Sequence, residues 1–271
     1  MNFDSNRAWQ QASAAIRSNR EVLFALAGVF FLLPILAFTL LFPQPTPPAG
    51  ADEKAMMAFA MAYYAQTLPV AIPMALVQAA GTLGLLTLMT DRSRPTVGEA
   101  IRTGFAGLLS YIAAQLIVGF GLGMAALAIM ALGAILSGVG GAALSIAAAG
   151  ALFLYVVVRT SLSAPVVAVE RVRNPVAALR RSWALTRGNT LRILVFFALL
   201  LLVFAIVLTI VLSLAGIVLA LVMPAKPAAI LAAVLSAGLQ SGMALMLVGA
   251  LAATHAQLAG EPEERSGATF D

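Results

Sequence analysis

The chain has 271 residues, of which 62% are hydrophobic and 10% charged, with a formal net charge of +5. Soluble domains run at about 45–50% apolar and about 25% charged, so this composition excludes a large soluble core and points to apolar helices of about 20 residues crossing a membrane. Cysteine is absent and His255 is the one histidine, which removes disulfides, thiolate nucleophiles and sulfur-ligated metals.

The first apolar span covers about residues 21–42. A short polar helix, SAAIRSNR (Ser13–Arg20), precedes it. Its run VLFALAGVFFLLPILAFTLLF is too long for the 7–15-residue core of a signal peptide, so it is expected to be retained as a span. PQPTPPAGADEKAM follows as an outer loop, its prolines favouring extended backbone. The second span covers about residues 67–90. Pro69, Pro73 and Gly81 are placed to break it, as in transporters with discontinuous helices. Arg92, Arg94 and Arg102 then surround a T-x-x-E capping box, Thr96 with Glu99, which marks a helix start. The third span covers about 104–132, and LSGVGG turns the chain into a fourth at about 142–163.

The connection after the fourth span carries most of the charge. Arg159 lies about a turn inside the end of the apolar run, where a cation is costly and takes a partner or a water path. Pro165 should kink or end the helix, letting Glu170 turn back toward Arg159 as a candidate structural ion pair. Asn174 followed by Pro175 reads as an N-cap with proline at the first helical position, and Gly188 as the residue that ends the helix. On a wheel of about 100° per residue, Val176, Leu179 and Trp183 share a face, with Arg180 and Arg187 flanking the indole and Arg181 pointing away. Such a helix lies in a membrane interface with its guanidiniums at phosphate level. Arg180, Arg181, Trp183 and Arg187 are therefore candidate contacts for a lipid headgroup or a partner protein. The alternative is a loop whose arginines only set topology.

The fifth and sixth spans cover about 191–223 and 228–254, joined by the tight turn PAKP. Every arginine then falls on one side of an even-span topology, and only Lys54 and Lys226 fall on the other. The positive-inside rule puts both termini in the cytoplasm. Ser13–Arg20, Asp91–Gly104 and Glu170–Asn189 share a loose pattern, which suggests three units of interfacial helix plus hairpin.

Inside the spans, Gln78, Gln115 and Gln240 are candidate cavity-lining residues, with interhelical hydrogen bonding as the alternative. Gly119–Gly123, Ser137–Gly141 and Gly238–Gly242 have the small-xxx-small spacing of helix contacts. No nucleophile, base and orienting group stand together, and no metal or nucleotide motif occurs, so no catalytic residue, metal or cofactor is expected. His255 reads as a hydrogen-bonded group at the cytoplasmic end of the sixth span.

The run Arg159, Pro165, Glu170 and ALRRSWALTRGN resembles the glycerophosphoryl diester phosphodiesterase membrane-domain family, and YciC-like inner-membrane proteins. The close match covers about residues 159–192. The resemblance implies a multi-helix membrane module. It does not carry over phosphodiesterase activity, since that catalytic domain needs a histidine pair and metal-binding carboxylates.

The expectation is an all-α integral membrane protein of six transmembrane helices, both termini inside, with short cytoplasmic interfacial helices before helices 1, 3 and 5. Residues 1–258 form one membrane domain and 259–271 a disordered tail. Two functions are open: a non-enzymatic bacterial inner-membrane module that organises anionic lipids or recruits a partner through its arginine-rich face, or a transporter of a small molecule or lipid with a polar cavity. Nucleic acid is not expected as a partner, and a homo-oligomer is possible.

Overall fold

The computed structural model describes residues 3–43, 45–47, 50, 52–90, 95–136 and 138–260, and gives backbone alone for 136 and 138–140. Within them the chain is all-helical: α1 (Ser5–Ser18), α2 (Arg20–Ala27), a π turn (Gly28–Leu32), α3 (Leu33–Leu41), α4 (Glu53–Thr90), α5 (Val97–Leu136), α6 (Gly138–Thr160), α7 (Ser163–Ala168), α8 (Pro175–Thr186), α9 (Thr190–Val222) and α10 (Ala225–Ala259). Six helical stretches are long and apolar enough to cross a membrane: Arg20–Leu41, Glu53–Thr90, Val97–Ile135, Gly141–Ala168, Thr190–Val222 and Ala225–Ala259. That is the architecture of a multi-pass membrane protein.

The helix starts follow local chemistry. Asp4 accepts from the backbone N–H of Asn6 at 2.9 Å and of Arg7 at 3.1 Å, opening α1. Asp52 accepts from Ala55 N–H at 2.8 Å, opening α4. Thr96 N–H donates to the Glu99 carboxylate at 2.8 Å, and Glu99 N–H to the Thr96 hydroxyl at 3.3 Å, which is the expected capping box. Asn174 accepts from Val176 and Ala177 N–H at 3.0 and 3.1 Å, and Gly188 takes φ +83° after α8, both as expected. α8 ends at Thr186, one residue before the expected end.

Two expectations are corrected. α4 runs unbroken for 38 residues through Pro69, Pro73 and Gly81. At about 1.5 Å per residue it is about 57 Å long, well beyond a hydrocarbon core of about 30 Å. Its first turns take in Glu53, Lys54 and Met56, which the sequence placed in an outer loop. Alanine, methionine, glutamate and lysine favour helix there despite their modest hydropathy. Second, no separate interfacial helix stands before α5: the described part of that segment is the beginning of α5 itself, whereas α1 and α8 are distinct helices. Asp91–Arg94, Ser137 and the 261–271 tail lie outside the described residues.

The chain falls into two compact units. Unit 2 holds residues 19–81 and 202–245. Its first helix widens into the π turn just before Pro34, and Leu33 N–H reaches back to Gly28 O. A proline at 34 has no N–H to give and its ring crowds the carbonyl of residue 30, so a widened turn relieves both problems. Phe30 seats directly against Gly81, where no side chain has room. Ser241 donates to Ala27 O at 3.0 Å, where the helical register changes.

Unit 1 holds residues 1–18, 82–201 and 246–271. Its core is built on Leu83, Leu86, Leu162, Val166, Val167 and Ile193, all fully buried. α1 lays Ala8, Ala12 and Ile16 inward at four-residue spacing, and Ile16 and Ala12 pack on Gly249 of α10. Asp4 N–H donates to Gln257, Gln257 donates back to Asp4 O, and Phe3 N–H donates to the Asn189 side chain at 2.9 Å. The N-terminus is thereby fastened to the end of α10 and the start of α9.

Candidate functional site

The most unusual group in unit 1 is made by a break in a helix. α6 stops at Thr160 and α7 starts at Ser163, and all six residues of α7 are buried. A helix end leaves backbone carbonyls without partners, and a helix start leaves N–H groups. Ser182 of α8 bridges the two: its hydroxyl donates to Arg159 O at 2.9 Å and accepts from Leu162 N–H at 3.2 Å. Thr160 and Ser161 cover further carbonyls, donating to Val156 O and Val158 O at 2.8 Å each.

Ser182 and Thr186, at i and i+4, share the buried face of α8 with Ala178 and Leu185. That face holds Arg159. Its guanidinium donates from Nη1 to Thr186 Oγ1 at 3.3 Å. Its Cζ lies 4.5 Å from the Trp183 ring centroid and 5.8 Å from that of Tyr155. The two rings meet edge to face at 5.6 Å. Arg159 is only 5% exposed, and its Nε is buried with no hydrogen-bond partner. No carboxylate pairs with it among the described residues. Trp183 and Tyr155 both keep an exposed edge.

The expected Arg159–Glu170 pair does not form. α7 inserts six residues, about 9 Å of helix, between them. Arg171 then takes a left-handed conformation, φ 55°, where the chain turns toward α8. Glu170 instead receives Arg181 Nε at 2.9 and 3.1 Å and meets His255 Nε2 at 3.0 Å. Partial burial alone would raise the Glu170 carboxyl. The hydrogen bonds from Arg181 and His255 outweigh that and hold it below the ordinary value. His255 is buried against this carboxylate, which ties α10 to the α7–α8 connection.

The candidate headgroup residues therefore separate. Arg181 is engaged by Glu170. Arg180 and Arg187 are exposed, and the Trp183 indole lies over Arg159. Of these neighbours, Tyr155, Ser182 and Thr186 were not singled out from sequence. The available signal was Tyr155 one turn before Arg159, and two hydroxyls one turn apart on α8.

Unit 1 also contains a pocket of about 520 Å³ beside the same helix break. Val158, Thr160, Ser163 and Ala164 form a buried floor, and Phe153, Leu201 and Gln115 a more exposed rim. Gln115 donates to Tyr111 Oη at 3.0 Å within the lining. Gln78 and Gln240 belong to unit 2 and are not among its walls. Gln240 donates to Ser236 on its own helix at 2.8 Å. Of the three candidate glutamines, Gln115 lines this pocket.

Nothing lies within 4 Å of where a Cβ would sit at Gly119, Gly121, Gly123, Gly238 or Gly242. Among the glycines whose surroundings are described, Gly81, Gly107, Gly133 and Gly249 are crowded. Comparison of the chain with family models, curated proteins and solved structures finds no match.

Proposed function

We propose that the chain is a non-enzymatic module of a bacterial inner membrane that holds anionic lipid headgroups at Arg159 and the exposed arginines of α8. The observation that carries this reading is the Arg159 guanidinium: nearly buried, stacked on Trp183, with one hydrogen bond and an unpartnered Nε. A buried cation without a countercharge is costly. The cation–π contact returns only about 0.5–2 kcal/mol. An anion completes the site, and the exposed Arg180 and Arg187 add attraction of about 1 kcal/mol each near an anionic surface. Guanidinium suits phosphate because its planar donors bind two oxygens at once.

In this reading both termini are cytoplasmic, and α1 and α8 lie along that surface. The arginine distribution supports it, as does the fastening of Phe3 and Asp4 to Asn189 and Gln257. Kinship with the glycerophosphoryl diester phosphodiesterase membrane-domain family rests on the same stretch, in which Arg159, Glu170, Arg181, Ser182, Trp183, Thr186 and Asn189 all make side-chain contacts.

The test is native mass spectrometry of the purified chain with phosphatidylglycerol and phosphatidylcholine. The unsubstituted protein should retain phosphatidylglycerol preferentially. Arg159→Gln, and separately Arg180→Gln with Arg187→Gln, should each weaken that retention by about fivefold or more, the factor that about 1 kcal/mol sets. Unchanged retention in both would overturn the proposal.

A further inference from the structure

The pocket in unit 1 calls for a different ligand from the one the arginines attract. None of its seventeen lining residues is Asp, Glu, Lys, Arg or His. A phosphate or carboxylate drawn into it would lose its hydration and meet no cation, a cost of several kcal/mol. A cationic head would meet no carboxylate. The walls are aliphatic and aromatic: Leu122, Phe153, Phe197, Leu201, Leu247 and Leu251.

The polar groups of the lining are uncharged. Tyr111 accepts from Gln115 and keeps its own O–H to donate. Thr160 and Ser161 spend their protons on the Val156 and Val158 carbonyls, leaving their oxygens as acceptors. With the second N–H and the carbonyl of Gln115, the lining offers both donors and acceptors, which fits a hydroxyl-bearing head that both gives and takes. A volume of about 520 Å³ lies within the range of about 300–1,000 Å³ of small-molecule pockets, the scale of one single-chain amphiphile rather than a two-chain lipid.

We infer that this pocket binds an uncharged single-chain amphiphile of the monoacylglycerol class, its chain against the leucine and phenylalanine walls and its hydroxyls at Tyr111, Gln115 and the α6–α7 break. The site is separate from the one proposed at Arg159, whose guanidinium turns to Trp183 rather than lining the pocket. Gly119 provides a clean way to fill it, since nothing lies within 4 Å of a Cβ built there.

The experiment uses the full chain in lipid nanodiscs with a monoacylglycerol carrying a photoactivatable diazirine in its chain. Crosslinks should map to α5 near Gly119, α6 near Phe153 and α9 near Phe197. Gly119→Leu should reduce labelling by about tenfold, and Tyr111→Phe should weaken it by about fivefold, the loss expected for one hydrogen bond of about 1 kcal/mol. Arg159→Gln should leave labelling unchanged, so failure of the arginine site and failure of this one read out separately. Full labelling in both Gly119→Leu and Tyr111→Phe would overturn the inference. So would equal labelling of the same peptides by a fatty acid or a phosphatidylglycerol bearing the same diazirine.

Discussion

A serine hydroxyl can donate and accept at once in very little space, and Ser182 uses both capacities. It closes the gap between the last carbonyls of α6 and the first N–H groups of α7. Replacing it with alanine leaves a buried N–H and a buried carbonyl weakened or unpaired, at about 1–3 kcal/mol. Ser182→Ala should therefore lower the unfolding midpoint of the detergent-solubilised protein clearly. Ser161→Ala should change it little, since that hydroxyl bonds only to a carbonyl of its own turn. Glu170 gives a pH signature. Its folded value lies below its ordinary 4.5, so its contribution to stability is full above that value and is lost as pH falls through the lower folded one. Glu170→Gln should be less stable than the unsubstituted protein at neutral pH, and the difference should shrink to nothing on acidification. A difference that persists at low pH would mean that the carboxylate's charge is not what matters. Neither role was legible in the sequence. A serine in an arginine-rich amphipathic helix reads as filler, and the partner of Glu170 depends on where α10 brings His255, 85 residues away.

α7 is too short to be stable alone, and its six buried residues survive by docking. Part of its seat is Gly107 of α5. A Cβ there would lie 2.9 Å from Val167 Cγ1 and 2.6 Å from Arg173 Nη1. The arginine end can swing away, but Val167 is fully buried and cannot. Gly107→Ala should destabilise by about 1–3 kcal/mol through overpacking. Gly121→Ala, in open space, should be neutral or stabilising by up to about 1 kcal/mol from helix propensity. Thermal unfolding of the two variants side by side checks the contrast. The element scale also marks where sequence reading works. Caps were read correctly at Thr96, Asn174 and Gly188 because a cap is made by residues within four positions of each other. The crowded glycines were missed because crowding is set by a neighbouring helix. The first turns of α4 were missed because a hydropathy window detects an apolar run, and a helix continues through polar residues once Asp52 has capped it.

For the whole molecule, the six long apolar helices were legible because lipid imposes one requirement on every residue of a crossing segment, and a helix is the local way to meet it. The pocket of unit 1 was not, because its walls come from α4, α5, α6, α7, α9 and α10, and only their packing brings Tyr111, Thr160 and Leu251 together. Sidedness lies between these cases. It depends on a sum over loops, and on the proposed six-span topology the sum is lopsided: all fourteen arginines fall on one side, with Lys54 and Lys226 alone on the other. Both lysines are exposed, one in the first turn of α4 and one in that of α10. The absence of cysteine permits a direct test, since any introduced thiol is the only one. Lys54→Cys and Lys226→Cys should react with a membrane-impermeant maleimide on spheroplasts, whose inner membrane is sealed and exposed. Arg17→Cys and Arg180→Cys should react only after permeabilisation. The reverse pattern would invert the topology and move Arg159 and α8 to the outer face. Labelling of Arg180→Cys together with Lys226→Cys on sealed spheroplasts would mean an even number of crossings between them, so that α9, the one apolar helix between the two positions, does not span.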